Sequence, residues 1–334
     1  MIRTALTNMF RLEHPIVLAP MGAVAGGHLA ATVSNAGGLG LVGGGYGDRD
    51  WMRRELNRVH AETTKCWGVG LITWSADRSL VEWTLAHRPH AFMLSFGDPR
   101  PHAQLIKAAG CKLICQVQDL AAARLAREAG ADLIVAQGTE AGGHGGARAT
   151  LPLVPAVVDA VAPTPVLAAG GIADGRGLAA ALMLGAHGAL IGTRFYASDE
   201  ALGAEGAKQL ITAASGDRTE RTTVFDVVRC LKWPPSYTGR ALSNRFIARW
   251  RGHERALVAQ SEIESVAYRA AVRNEDFDTA VVWAGEGVDL ITEVEPAAQI
   301  VRRIGAEAEE LLTRPDRLVP RSLGSKCRDA AHKV

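Results

Sequence analysis

The feature that most limits what this chain can fold into is a regular alternation of short apolar runs and helix-patterned stretches from residue 15 to residue 192. Apolar runs fall at 15–20, 38–42, 67–71, 91–95, 112–117, 133–137, 166–169 and 189–192. Helical patterns lie between them at 27–35, 50–63, 79–88, 102–109, 120–129, 153–161 and 175–184. Short apolar runs bounded by glycine or proline read as buried strands. Strands that alternate with helices form a parallel sheet, because each helix carries the chain back across one face before the next strand starts. The unit from 111 to 137 shows the repeat, with Asp119 placed to cap the helix N-terminus and Gly130 placed to end it. Eight such units close into a barrel, so the expected fold is an α/β (β/α)8 TIM barrel over 1–199. An open doubly wound sheet is the competitor.

Two glycine clusters favour the barrel. After the seventh apolar run comes Gly170-Gly171-Ile172-Ala173-Asp174-Gly175, and the eighth ends in Gly192-Thr193. Backbone amides at the ends of strands seven and eight form the usual phosphate site of such barrels. The sixth run leads into Gln137-Gly138-Thr139-Glu140-Ala141-Gly142-Gly143-His144-Gly145-Gly146. Glycine lets backbone approach a ligand closely, and an imidazole there is suited to proton transfer near neutral pH. His144 is therefore the candidate catalytic residue.

Two other glycine patterns carry no site. Gly38-x-Gly40-x-x-Gly43 matches the dinucleotide fingerprint, but a helix precedes it and it reads as the second strand. Gly175-x-Gly177-x-x-Ala180 reads as the opening of the helix after strand seven. No serine-hydrolase elbow, zincin motif or Walker sequence occurs, and no Cys/His spacing suits a metal.

The rest of the chain differs in character. Residues 200–280 read as a smaller helical unit inserted after strand eight, with helices at 200–214, 244–260 and 262–274. Its Trp233-Pro234-Pro235-Ser236-Tyr237 loop reads either as a lid that excludes water from the site or as packing of the small unit on the barrel. Residues 281–288 return apolar and glycine character to the site, 295–313 form a closing amphipathic helix, and a basic tail follows.

With 48% hydrophobic residues in 334, the chain can bury a large core, and a net charge of +2 argues against nucleic acid or a membrane surface as partner. No apolar run is long enough to span a bilayer and none reads as a signal segment. Five cysteines without secreted spacing read as reduced, buried thiols of a cytoplasmic protein.

His14-Pro15-Ile16-Val17-Leu18-Ala19-Pro20-Met21, Asn35-Ala36-Gly37-Gly38-Leu39-Gly40, the Gln137–His144 stretch and Ala169–Gly175 together resemble the nitronate monooxygenase family, formerly called 2-nitropropane dioxygenases. The resemblance implies bound FMN. Ala19, Pro20, Met21 and Gly22 would lie along the flavin ring, Gln116 would reach the flavin or its ribityl chain, and Gln137, Gly138, Ala141 and Gly142 would flank the ring. Gly170, Gly171, Gly192 and Thr193 would hold the phosphate, and His144 would face the reactive nitrogen. It implies a small-molecule substrate, an alkyl nitronate or nitroalkane, oxidised with O2 as electron acceptor to a carbonyl compound and nitrite. Alternatives on the same barrel are an NAD(P)H:quinone or enoyl-thioester reductase. From another class they are a phosphosugar-binding barrel or an inactive FMN-binding scaffold. Two departures from the family pattern stand out: Gly70 where relatives often carry Asn, and Glu286 where many carry Gln. Glu286, with Trp233 and Tyr237, is a candidate substrate contact, although a plain surface carboxylate is the equal reading for Glu286.

Overall fold

The computed structural model describes residues 1–314. The expected strands are present: β1 (Ile16–Leu18), β2 (Gly40–Gly45), β3 (Trp67–Ile72), β4 (Ala91–Ser95), β5 (Lys112–Val117) and β6 (Leu133–Gln137). After the short β7 (Gly143–Gly145), which stands outside the barrel, come β8 (Val166–Ala169) and β9 (Ala189–Ile191). The sheet is parallel, in the order β1-β9-β8-β6-β5-β4-β3-β2. Its two ends meet, since Leu18 N–H donates to Leu39 O and Leu39 N–H donates to Ile16 O, each at 2.9 Å. That seam makes it a (β/α)8 barrel and excludes the open sheet.

Successive strand residues point to opposite faces, so each strand serves two cores. Inward residues Val17, Leu39, Leu41, Met93, Ile114, Val135, Leu167 and Leu190 fill the barrel, with Leu6 and Phe10 of the helix Ala5–Phe10 packed against them. Outward residues such as Leu18, Val42, Phe92, Leu113 and Ile134 meet the helix layer through Leu29, Leu56, Val81, Ile106 and Val157. The helix Ala297–Thr313 packs on the helix Gly175–Met183 and completes that layer. A Cβ on Gly175 would lie 2.2 Å from Glu307 Cβ, so this contact needs glycine.

The segment 200–280 departs from the helical expectation. It holds the helices Glu205–Ala213, Val224–Val228, Arg245–Trp250, Glu254–Ala259 and Ser261–Arg273. It also contributes β10 (Thr219–Thr222) and β11 (Thr238–Leu242), which pair antiparallel with β7 in the order β10-β11-β7. The unit is mixed, and one of its strands comes from the barrel's own glycine loop. Thr-Glu-Arg-Thr has no apolar alternation, and Gly-His-Gly has almost no side chain to read, so neither strand shows in the pattern. The single helix expected over 244–260 is two, broken at Gly252, whose φ is +75°. Val224, Phe225, Val228, Phe246, Ile247, Trp250, Leu257 and Tyr268 form this unit's core.

The cysteine expectation holds in part. Cys111 and Cys115 are buried and Cys66 is half-buried, but Cys230 is exposed. Among the described residues no helix is long and apolar enough to cross a membrane. The basic tail and Cys327 lie outside the described residues.

Candidate active site

A cavity opens at the C-terminal ends of the barrel strands, where a parallel barrel leaves its loops free for chemistry. Its wall includes Ala19, Pro20, Met21 and Gly22 after β1, Gly70 on β3, Gln116 on β5 and Gln137 on β6. The glycine loop adds Ala141, Gly142 and His144, and the strand ends β8 and β9 add Gly170, Gly171, Gly192 and Thr193. Trp233, Trp283, Gly285 and Gly287 cover it from the C-terminal segments.

One end suits an anion. Gly170 and Gly171 have φ of +109° and +72°, a region that favours glycine. The amides of Gly171 and Gly192 find no acceptor among the described residues. A Cβ on Gly192 would sit 3.5 Å from Ala19 Cβ, so a side chain there clears the protein and projects into the cavity. Unpaired N–H groups around a space that only missing side chains leave open fit the phosphate of a flavin mononucleotide. Thr193 is partly committed, since its Oγ1 accepts from Gly285 N–H at 3.0 Å. Glu286 N–H donates to Glu140 O at 2.9 Å, so the returning segment is tied to the glycine loop.

The flat middle is built by Pro20 and by a glutamine relay. Gln116 Nε2 and Gln118 Nε2 both donate to Gln137 Oε1, at 3.1 and 2.9 Å, and Gln137 Nε2 donates to His144 O at 3.0 Å. The relay is buried and holds the loop by its backbone. Gly70 is the position where the family resemblance leads one to expect Asn. A Cβ there would lie 2.3 Å from Pro20 Cγ. The proline ring thus takes the space that a side chain on β3 would need.

At the other end His144 Nε2 lies 2.9 Å from both carboxylate oxygens of Asp226. The two side chains are only 8% and 6% exposed. Trp233 stacks flat on the imidazole, with centroids 3.5 Å apart and planes 3° apart. Phe96 meets the imidazole edge-on and Trp283 lies tilted beside it. Trp233 Nε1 donates to Tyr46 Oη at 2.9 Å, which fixes the indole. Burial pushes the His144 pKa below its usual value, against the upward pull of Asp226. Burial therefore favours the neutral imidazole, the form able to accept a proton.

Of the expected site residues, Gly138, Tyr237 and Glu286 do not reach the cavity wall. A Cβ on Gly138 would lie 2.0 Å from Thr150 Oγ1, so this residue lies under the loop and not beside a ligand. Tyr237 stands in a second layer, edge-on to Phe96 and Trp233. Glu286 turns to Arg240, with Nη2 and Oε1 2.7 Å apart, and is partly exposed. Tyr46, Phe96 and Asp226 carry no signal in the sequence, and Trp283 arrives with the 281–288 segment expected at the site without having been singled out in it. Asp226 is 82 residues from His144, and no spacing rule joins them. Only the pairing of Gly239 with His144 across β11 and β7 brings that part of the chain alongside.

The nitronate monooxygenase family model matches residues 3–79 and 73–307. A nitronate monooxygenase of Neurospora crassa is 34% identical over 355 residues, covering 92% of this chain and 93% of that one. A (3aS,4S,5R,7aS)-5-hydroxy-7a-methyl-1-oxo-octahydro-1H-indene-4-carboxyl-CoA dehydrogenase of Mycobacterium tuberculosis is 40% identical over 228 residues, 67% of this chain. The match spans 64% of that relative, less than two thirds of its length. The solved structure of FabK from Thermotoga maritima superposes with a TM-score of 0.85 at 33% identity, covering 96% of this chain and 100% of that one.

Proposed function

This chain belongs to the nitronate monooxygenase family of flavoprotein oxidoreductases, and from that premise we propose that it binds FMN and oxidises alkyl nitronates or nitroalkanes with O2 to a carbonyl compound and nitrite. The observation that carries the reading is a buried imidazole, His144, paired with Asp226 on the wall of a cavity whose other end offers unpaired amides to one phosphate. When bound, FMN supplies electron transfer. The chain's own groups do the rest. Gly170, Gly171 and Gly192 would hold the phosphate, Pro20 and Gln116 would border the ring, and His144 would remove the α-proton of a neutral nitroalkane, leaving the electron pair on the nitronate. The segment 200–280 serves as the lid, with Trp233 excluding water.

A second reading is supported by the Mycobacterium tuberculosis relative, whose name describes a dehydrogenase of a coenzyme A thioester. The α-carbon of a thioester also carries an acidic proton that a neutral imidazole could remove. Anaerobic mixing separates the two. Bleaching of the yellow protein by an alkyl nitronate, with nitrite formed on admitting air, supports the first. Bleaching only by NAD(P)H or by a saturated acyl thioester overturns it.

The residue test is His144→Asn. Flavin should stay bound. Turnover of neutral nitroalkanes should fall about 10²–10⁴-fold, the usual loss with a general base, while preformed nitronates suffer less. Equal loss on both would make His144 a binding residue.

A further inference from the structure

We propose that Asp226 is the positioning residue of His144, and that it fixes Nδ1 as the nitrogen that takes the substrate's proton. The inference rests on the reading of His144 as the proton acceptor. It adds a residue that no sequence motif pointed to.

The argument starts from the hydrogen-bond inventory. An ionised carboxylate can only accept. Nε2 lies 2.9 Å from both Asp226 oxygens, so in the neutral imidazole the proton sits on Nε2 and the lone pair on Nδ1. Which nitrogen of a histidine carries the proton is set by the bond its other nitrogen makes. Rotation of the ring is hindered as well, because Trp233 lies flat on one face, Phe96 meets it edge-on and Trp283 lies tilted beside it, while the ring still borders the cavity. The imidazole therefore has one orientation and one tautomer before any substrate arrives, and such preorganisation lowers the barrier to proton transfer.

The surrounding charges follow the same logic. Asp226 stands on the helix Val224–Val228, with Arg229 at the end of that helix and Arg221 on β10. The other elements around the ring present aromatic faces and the hydroxyl of Tyr46, which is bonded to Trp233. When the C–H proton moves to Nδ1, its bonding pair stays on the substrate and the imidazole becomes a cation. That cation is formed against the Asp226 anion, while burial and the two arginines oppose it. Among the described residues, Asp226 is the group facing the ring that favours the proton-loaded state.

Asp226→Asn tests this. The amide can donate to Nε2, which moves the imidazole proton to Nδ1 and blocks the base. We expect kcat with neutral nitroalkanes to fall about 10²–10⁴-fold, as expected where a base is held in the wrong tautomer, with KM little changed. Rates with preformed nitronates should stay near wild type. Residual nitroalkane activity should show its acid limb at lower pH, because the imidazolium has lost its anion and releases its proton more readily. The 15N spectrum of the substrate-free holoprotein gives a readout independent of turnover. Wild type should show a protonated Nε2 and a bare Nδ1 on His144, and the variant should lose that pattern. A wild-type spectrum with the proton on Nδ1 overturns the proposal. So does an Asn variant that loses nitroalkane and nitronate turnover together with flavin and melting temperature, since Asp226 would then be holding the fold alone. If wild type oxidises neither substrate, the nitronate reading fails, and the 15N tautomer still decides the role of Asp226.

Discussion

Replacing Gly70 with alanine adds one methyl group to β3. The structure puts that Cβ 2.3 Å from Pro20 Cγ and 2.5 Å from Pro20 Cβ. Ordinary contact begins near 3.4 Å, so the ring must retreat by more than an ångström. It has little freedom to do so. Ala19 N–H is tied to Ile191 O at 2.9 Å, and Met21 N–H closes back on Ala19 O at 2.8 Å. Overpacking of this kind costs about 1–3 kcal/mol. Pro20 borders the cavity and is not one of the barrel's central apolar residues, so the penalty should fall mainly on cofactor binding. A loss of 1–3 kcal/mol corresponds to about 5–150-fold weaker FMN affinity. Titrating apoprotein with FMN by flavin fluorescence gives Kd, and the apoprotein melting temperature reports the fold. Pro20→Gly removes both ring carbons that are hit, so the double variant should recover most of the loss, a coupling that a double-mutant cycle measures. An unchanged Kd for Gly70→Ala, or a loss that Pro20→Gly does not relieve, would refute the claim that this glycine exists to seat the proline.

Other perturbations follow from the same site. Gly192→Leu should give folded but colourless protein, since its side chain meets only van der Waals contacts from the protein and fills the phosphate end; retained colour would place the phosphate elsewhere. Trp233→Ala removes the ring stacked on His144, a contact of about 0.5–1.5 kcal/mol. Steady-state kinetics should show altered substrate KM and faster reaction with O2 at nearly unchanged melting temperature, whereas Tyr237→Ala, one layer back, should change them less. The activity of wild type on neutral nitroalkanes should fall only below about pH 6.5, the ordinary histidine value, because burial depresses the His144 pKa and the base works when unprotonated; an acid limb above that value would contradict the buried environment. Cys230→Ser should abolish a fast-reacting thiol, while Cys111→Ser and Cys115→Ser leave the fast phase alone, because burial pushes both of those thiols up to about 12.

What the sequence determined by itself was the barrel and the glycine-lined end of its cavity. Apolar runs such as Leu133–Gln137 and caps such as Asp119 and Asp174 act over a few residues, so their pattern is written locally and the elements follow it closely. The glycines at the ends of β8 and β9 were legible for the same reason, because strand order places them side by side in any eight-unit barrel. The tertiary structure alone decided what surrounds His144. The strand Gly143–Gly145 forms only because β11 pairs with it, and that pairing depends on a chain excursion with no local signal in Gly-His-Gly. Asp226, Trp233 and Trp283 arrive at the imidazole from three separate stretches of sequence. Conversely, Glu286 and Tyr237 sit near the site in sequence logic but turn to Arg240 and Phe96. A strand's face is fixed by its neighbours two residues away, whereas the partner of a catalytic side chain is fixed by packing between elements far apart in the chain, and that information exists only once the chain has folded.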